Sequence, residues 1–395
     1  MDLHDAPHEA AFRAEVAAFL DAHRPERLGD YWSADASQEE VFAQHRTWQR
    51  VLAEHGWAAI TWPEAWGGRG KGPIEQIIWN QELSRRGLGE SLFVVGIGMA
   101  GPTIIAHGRE DQKERFLAPM LRADEIWCQL FSEPGAGSDL AGLATRAVRD
   151  GDDWVVTGQK TWCSGGHYAD FGILLARTDP TVPKHQGITY FLLDMTSPGV
   201  EVRPLREMTG ESHFNEVFLN EVRVPDAARL GEVGQGWAVA QTTLMNERMA
   251  MGGVERMIPF ERLRDLLREN PERLDDVARD EAARLYAWIR TLQLLNARVV
   301  TKLGRGQIPT AESSVMKLQL ARIATLAADV ALRALGPEAL LRPGYWQNQF
   351  LFSPAWHIAG GTDEVQKNVA AERVLGLPRE ERRDREVPFE DLPRS

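Results

Sequence analysis

Residues 132–165 decide how this chain folds: they open with SEPGAGSD (132–139) and close with GQKTWCSG (158–165). Pro134, Gly135 and Gly137 crowd a polar loop between Phe131 and Leu140. Glycines lack a Cβ, so a ligand can come close to the backbone and N–H groups can point at it. Trp162 stands among hydroxyl residues, Thr161 and Ser164, just ahead of Gly165 and Gly166. A large flat side chain beside small hydrogen-bonding groups suits a planar ring with polar edges. A β-hairpin region with turn glycines and a core tryptophan accounts for the same residues equally well.

Around this stretch the chain has 395 residues, more than one hydrophobic core usually serves, so two or three domains are expected. Hydrophobic residues make up 43% and charged residues 26%, the balance of a soluble globular protein. The net charge of −12 excludes the basic footprint of a nucleic-acid binder but leaves room for a local pocket for an anionic cofactor. The two cysteines, Cys128 and Cys163, predict neither a disulfide framework nor a zinc site, and reduced thiols point to the cytoplasm. No basic segment followed by an apolar run opens the chain, so no signal peptide is expected. No apolar run approaches the ~18 residues that a membrane span needs.

N-terminal to the central stretch, apolar residues recur at helical spacing in 8–23 (Phe12, Val16, Phe19, Leu20), 39–55, 73–87 and 110–122. TWPEAWGGRGKG (61–72) reads as a loop and has neither a P-loop spacing nor a strand-to-helix GxGxxG. From Ile126 the pattern changes to short extended runs, among them WCQLF (127–131), DWVVTG (153–158), FGILLAR (171–177), ITYFLLDM (188–195), VEVRPL (200–205) and NEVFLNEVRVP (215–225). Strands at that spacing predict a small antiparallel sandwich or barrel. After GQGW (234–237) helical periodicity returns, with Leu285, Ile289, Leu292, Leu295, Val299 and Leu303 along one segment and further helices near 311–335 and 364–375. The class is α+β: a helical domain (1–125), a middle β-domain (126–231) and a second helical domain (232–395). The charged, proline-containing tail 382–395 is expected to be loosely ordered.

This order of parts resembles the acyl-CoA dehydrogenase family. QLFSEPGAGSDLAGLATRAV (129–148) and WVVTGQKTWCSGGHYADFGILLART (154–178) are similar to the family's two mid-chain signatures. IAGGTDEVQKNVAAERVLGLPRE (358–380) is similar to its C-terminal signature. The resemblance covers nearly the whole chain. It implies a C-terminal four-helix bundle and an FAD lying between domains and a neighbouring subunit in a homotetramer or homodimer. By the same resemblance, Gln129, Phe131, Ser132 and Gly137 lie along the cofactor, Trp162 covers a flavin face, and the Ser164 hydroxyl faces the flavin N5 edge. Ser138 and Arg248 meet the CoA thioester; Gly361, Thr362 and Glu364 meet the diphosphate or adenosine side of FAD.

The family chemistry removes the proton α to a thioester and passes a β-hydride to the flavin, giving a trans-2-enoyl-CoA whose electrons go to an electron-transfer flavoprotein. The weak α-acid needs a positioned carboxylate and donors on the thioester oxygen. Many members carry the base as a Glu directly before the Gly-Thr of the C-terminal signature, but that position here is Gly360. A subset carries it on the helix after the β-domain, and LMNERMA (244–250) matches that pattern at Glu247. Its neighbours three and four residues away are Thr243, Leu244, Ala250 and Met251, a mostly apolar face that would desolvate the carboxylate. A solvated surface glutamate beside Arg248 is the plainer alternative. The Gly360 N–H would then polarise the thioester oxygen, and Asp363 ranks a distant second as base.

Two family elements are missing. The region 257–276 holds no Arg-x-x-Phe-Gly segment, and a Gln-x-x-Gly-Gly-x-Gly element is reduced to ALRALGPEALL (331–341). These losses keep open a subunit that shares its flavin site with a different chain. A flavin monooxygenase or oxidase of the same fold is the other alternative, and Glu247 speaks against it. Gly96, Gly98, Ala100 and Gly101 either leave room in an acyl pocket or allow close helix packing.

Overall fold

The computed structural model describes residues 5–26, 28–29, 37–89, 91–250, 260–307, 312–341, 344–379, 381, 384 and 386–393, without the side chains of 248–250 and 303–304. It forms two compact units. One comprises residues 1–64, 68–92 and 251–379; the other comprises 65–67, 93–250 and 380–395.

The first unit is helical. Pro7 and Pro73 start α1 (Pro7–His23) and α3 (Pro73–Arg85), where a missing N–H costs nothing. Ser37 caps α2 (Gln38–Glu54), accepting from the Glu40 N–H while the Glu40 carboxylate accepts from the Ser37 N–H. These helices bury Val16, Leu20, Trp48, Ile60, Ile78 and Trp79, with Trp57 stacked 5.2 Å from Trp79. Glu82, buried in this packing, takes Arg13 at 3.0 Å, Arg85 at 2.7 Å and Arg86 at 2.6 Å.

The later helices of this unit are α7 (Phe260–Glu269), α8 (Asp276–Gly304), α9 (Glu312–Leu335), α10 (Tyr345–Ile358) and α11 (Asp363–Arg373). Leu285 and Leu292 of the predicted apolar stripe are buried against Ile323, Ala327 and Trp346. In this unit the sequence reading left α7 and α10 undelimited within a stretch read as helical throughout. The latter carries an internal Pro354 of the kind that ordinarily breaks a helix.

The second unit is built on a sheet: β1 (Trp127–Leu130), β2 (Arg146–Asp150), β3 (Asp153–Ser164), β4 (Phe171–Arg177), β5 (Ile188–Asp194), β6 (Val200–Leu205), β7 (Phe214–Pro225) and β8 (Arg229–Leu230). Strands β2 and β8 were not foreseen. The order is β6-β7-β3-β2-β4-β5-β8, with β1 beside β4. Most pairs are antiparallel, but β1 runs parallel to β4, and β2 meets β4 in parallel at Arg146 and Arg177. The intervening β2–β3 hairpin makes the first of these possible, since a parallel pair needs a long crossover. Among the described residues the sheet is open, with β6 and β8 at its ends, rather than a closed antiparallel barrel. Cys128, Leu130, Val156, Cys163, Phe191 and Val217 form its core.

A π-helix, Val95–Ala100, runs into α4 (Gly101–His107), followed by α5 (Glu110–Leu121). A Cβ at Gly96 would stand 3.1 Å from Met120 Cγ and 3.6 Å from Trp127 Cβ, so close packing accounts for this glycine. Helix α6 (Gly236–Ala250) packs on the π-helix, α4 and β5. The tail is not loose where it is described. The Phe389 N–H donates to Val182 O and the Glu390 N–H to Pro180 O, both at 3.0 Å. Charge and proline content suggested disorder, but backbone pairing to residues 180–183 supplies order that composition does not reveal. Among the described residues no helix is long and apolar enough to cross a membrane.

Candidate functional site

Strand β3 alternates Trp154, Val156, Gly158 and Lys160 toward one face, which carries Lys160 inward. It is fully buried, and its ammonium donates to Glu133 Oε1 at 2.7 Å and Phe131 O at 3.1 Å. Glu133 also accepts from the amides of Ala144 at 2.7 Å and Thr145 at 2.9 Å. Burial alone would raise the Glu133 pKa, but the Lys160 charge and these hydrogen bonds outweigh it and hold the carboxyl below its ordinary range. The second residue of SEPGAGSD is therefore the staple of its own loop. The sequence reading missed this pair, although the alternation in β3 carried the signal.

Just past Lys160 the register of β3 against β7 shifts, and Trp162 adopts φ +60°. A left-handed tryptophan within a strand stores strain and marks a functional candidate. The bulge turns Trp162 outward, 61% exposed, with only its edge against Phe214 at 5.8 Å. Cys163 points into the core, its carbonyl accepting from the buried Asn215 amide at 3.0 Å, and Ser164 points out beside Trp162. The Thr161 N–H donates to Ser132 O at 2.9 Å, tying this edge to the SEPGAGSD loop. An outward indole with a hydroxyl beside it fits a flavin ring; a core tryptophan, the alternative reading, is not what β3 builds.

Gln129 and Ser132 are half-buried, and Gly137 and Ser138 lie exposed at the loop tip. A Cβ at Gly137 would meet nothing within 4 Å, so the fold leaves space there. The Phe131 ring is 3% exposed and packs edge-on against Tyr190 at 5.8 Å, so its side chain serves the core and any approach to a cofactor is left to its backbone.

Tyr190 leads to α6. Its hydroxyl bonds Thr243 Oγ1 at 3.1 Å, and Thr243 in turn bonds Thr103 Oγ1 at 3.0 Å, all three fully buried. Glu247, half-buried, lies one helical turn beyond Thr243. The helix behind it is thus anchored by hydroxyl bonds through Thr243. Tyr190 and Thr103 gave no signal in sequence, being isolated in apolar runs. The side chains of Arg248 and Ala250, and residues 251–259, lie outside the described residues.

In the other unit, Gly360 and Gly361 both adopt left-handed backbone, φ +65° and +87°. The Gly360 carbonyl accepts from Gln366 Nε2 at 2.8 Å. Thr362 is the N-cap of α11, its hydroxyl accepting from the Val365 N–H at 3.2 Å, and Glu364 is exposed. Asp363 accepts from Lys317 at 2.9 Å and pairs with His357 Nδ1 at 2.7 Å. Burial opposes ionisation of Asp363, but the bonds from His357 and Lys317 prevail and lower its pKa. The structure thus brings the SEPGAGSD loop, the Trp162 edge and α6 together in one unit, and sets Gly360–Glu364 in the other.

Three consecutive family models match: acyl-CoA dehydrogenase N-terminal domain at residues 6–124, middle domain at 128–222 and C-terminal domain at 234–375. The chain is 46% identical over 84% of its length to acyl-CoA dehydrogenase FadE34 of Mycobacterium tuberculosis, and spans 46% of that protein. It is 35% identical to acyl-CoA dehydrogenase IpdE1 of the same organism, over 93% of this chain and 98% of that one. Among solved structures it is similar to the Tcur3481-Tcur3483 steroid ACAD, with TM-score 0.83, 30% identity and coverage of 96% and 100%. It is also similar to the ChsE4-ChsE5 complex of M. tuberculosis, with TM-score 0.80, 31% identity and the same coverage. The chain belongs to the acyl-CoA dehydrogenase family, whose members are flavoproteins acting on acyl-CoA thioesters.

Proposed function

We propose that this chain is an FAD-dependent dehydrogenase that converts an acyl-CoA to its trans-2-enoyl-CoA, with Glu247 as the base that removes the α-proton. One observation carries the reading: Glu247 is half-buried on a helix anchored by Thr243, while position 360 is glycine and Asp363 is paired with Lys317 and His357. Hydrogen bonds from Lys317 and His357 lower the proton affinity of Asp363, so it is poorly suited to accept a proton, and Glu247 is left as the carboxylate at a family base position. Bound FAD supplies the acceptor for the β-hydride. Gln129, Ser132, Trp162 and Ser164 hold its ring on the middle-domain side; Gly361, Thr362 and Glu364 hold its diphosphate or adenosine side. Exposed Ser138 and Gly137, the latter with open space at its Cα, receive the CoA moiety, with Arg248 next to the base in sequence. The Gly360 N–H polarises the thioester oxygen. The three-part division 1–125, 126–231 and 232–395 belongs to this reading, as does an electron-transfer flavoprotein as acceptor.

Similarity to a protein named as a steroid ACAD supports a bulky, ring-bearing acyl group as substrate. The test is anaerobic: the flavin band is recorded while straight-chain, branched and steroid-side-chain thioesters are added. Bleaching by a thioester establishes the half-reaction and ranks substrates. A yellow protein bleached only by nicotinamide or reduced flavin overturns it in favour of a monooxygenase. A second reading, a hetero-oligomer rather than a homotetramer or homodimer, is supported by similarity to a chain of a two-protein complex. A colourless single chain that gains FAD on co-expression with a partner would establish it.

A further inference from the structure

We propose that the C-terminal segment 386–393 is a strap that positions the SEPGAGSD loop, making Phe389 a remote determinant of binding of the coenzyme A part of the substrate. The inference rests on the acyl-CoA reading above.

The connection runs through two buried cations. Arg177, 4% exposed, donates to Leu143 O at 3.0 Å, Ala141 O at 2.7 Å and Lys184 O at 3.0 Å. The Phe389 ring covers this guanidinium, with Cζ 3.5 Å from the ring centroid. Lys184, 5% exposed, donates to both carboxylate oxygens of Asp139, at 3.0 and 2.8 Å, and pairs with Asp384 of the tail. Asp139 directly follows Ser138. Beyond the Glu133 staple and the Thr161–Ser132 bond, the loop is held at Asp139, Ala141 and Leu143, and each of these anchors passes through a cation that the tail touches. The backbone bonds of Phe389 and Glu390 to Val182 and Pro180, and the bridge between Pro183 and Pro388, fix the strap along the segment that leads to Lys184.

The physics favours dependence on the ring. A buried guanidinium bonded to carbonyls gains cation–π attraction from an aromatic face in a dry setting. Burial already pushes Arg177 down to about 10, so its charge is costly there. Removing Phe389 admits water, lets Arg177 exchange its carbonyl acceptors for solvent, and frees residues 139–143. Beyond the buried Ala136, the tip at Gly137 is open: a Cβ there would meet nothing within 4 Å.

Phe389→Ala and Phe389→Tyr in the full chain test this, with Phe389→Leu should the alanine variant not fold. Amide exchange across 133–145 and the Kd of free coenzyme A and of a non-oxidisable thioether analogue are measured, with flavin content and kcat alongside. Alanine should speed exchange in 139–143 by about tenfold or more. It should weaken both ligands by about 2- to 30-fold, whatever the acyl group, and leave flavin content and kcat unchanged. Tyrosine should restore both. Unchanged exchange overturns the strap. Faster exchange with unchanged Kd overturns its role in binding. If the wild-type chain binds neither ligand, the acyl-CoA reading falls, while exchange still decides whether the tail holds the loop.

Discussion

Helix α6 at Glu247 and the turn at Gly360–Glu364 each present a carboxylate near a signature position, and the two elements are held by different kinds of bond. Asp363 lies between Lys317 and His357, so its charge holds α11 to α9 and the end of α10. The α6 backbone is instead held by neutral bonds, Thr243 to Tyr190 and Thr103. Glu133, a third carboxylate, follows Asp363: its charge is matched by Lys160 and two amides. A carboxylate matched by cations stabilises a fold and makes a poor base.

The sharpest way to break this contrast is Glu247→Gln. Turnover should fall by about 10²–10⁴-fold while FAD stays bound, measured by steady-state rate against flavin absorbance. Near-normal turnover would remove Glu247 as base. Next comes Lys160→Met, which leaves Glu133 buried without its cation and should cost ~3–5 kcal/mol in denaturant unfolding. A cost below ~1 kcal/mol would show that Glu133 does not depend on its charge partner.

Thr243→Val strands the Tyr190 and Thr103 hydroxyls and should destabilise by ~1–3 kcal/mol. It should also lower kcat more than it raises KM, because it shifts the helix that presents Glu247; an effect on stability alone would separate the anchor from catalysis. The smallest effect is expected at Asp363→Asn. The folded-state pKa of Asp363 is depressed, so its stabilisation is present above the ordinary carboxylate value of about 3.9 and is lost as pH falls through the lower folded value. The Asn variant should show a flatter acid limb of stability against pH and near-normal turnover. A large loss of turnover would return Asp363 to the role of base.

Local pattern carried much of this. Helical periodicity found α1, α2, α3 and α5, and alternation found most strands, because residues that share a face repeat at 3.6 or 2 positions. The alternation in β3 also carried the inward placing of Lys160, a signal the sequence reading passed over. It could not reveal that a register shift after Lys160 turns Trp162 outward, because a bulge is set by the partner strand. Nor could it show that Phe131 belongs to the core, since its partner Tyr190 lies in another strand.

The sequence by itself determined the order of helices, sheet and helices, the three signatures, the glycine at 360 and the glutamate at 247. These are matters of residue identity and short spacing. Tertiary structure alone decided that the sheet is open and partly parallel, that Asp363 is paired with Lys317 and His357, and that the charged tail docks on Arg177 and Lys184. Each of those rests on contacts between residues remote in the chain, where charge, burial and hydrogen bonding are settled by the partner and not by the neighbour in sequence.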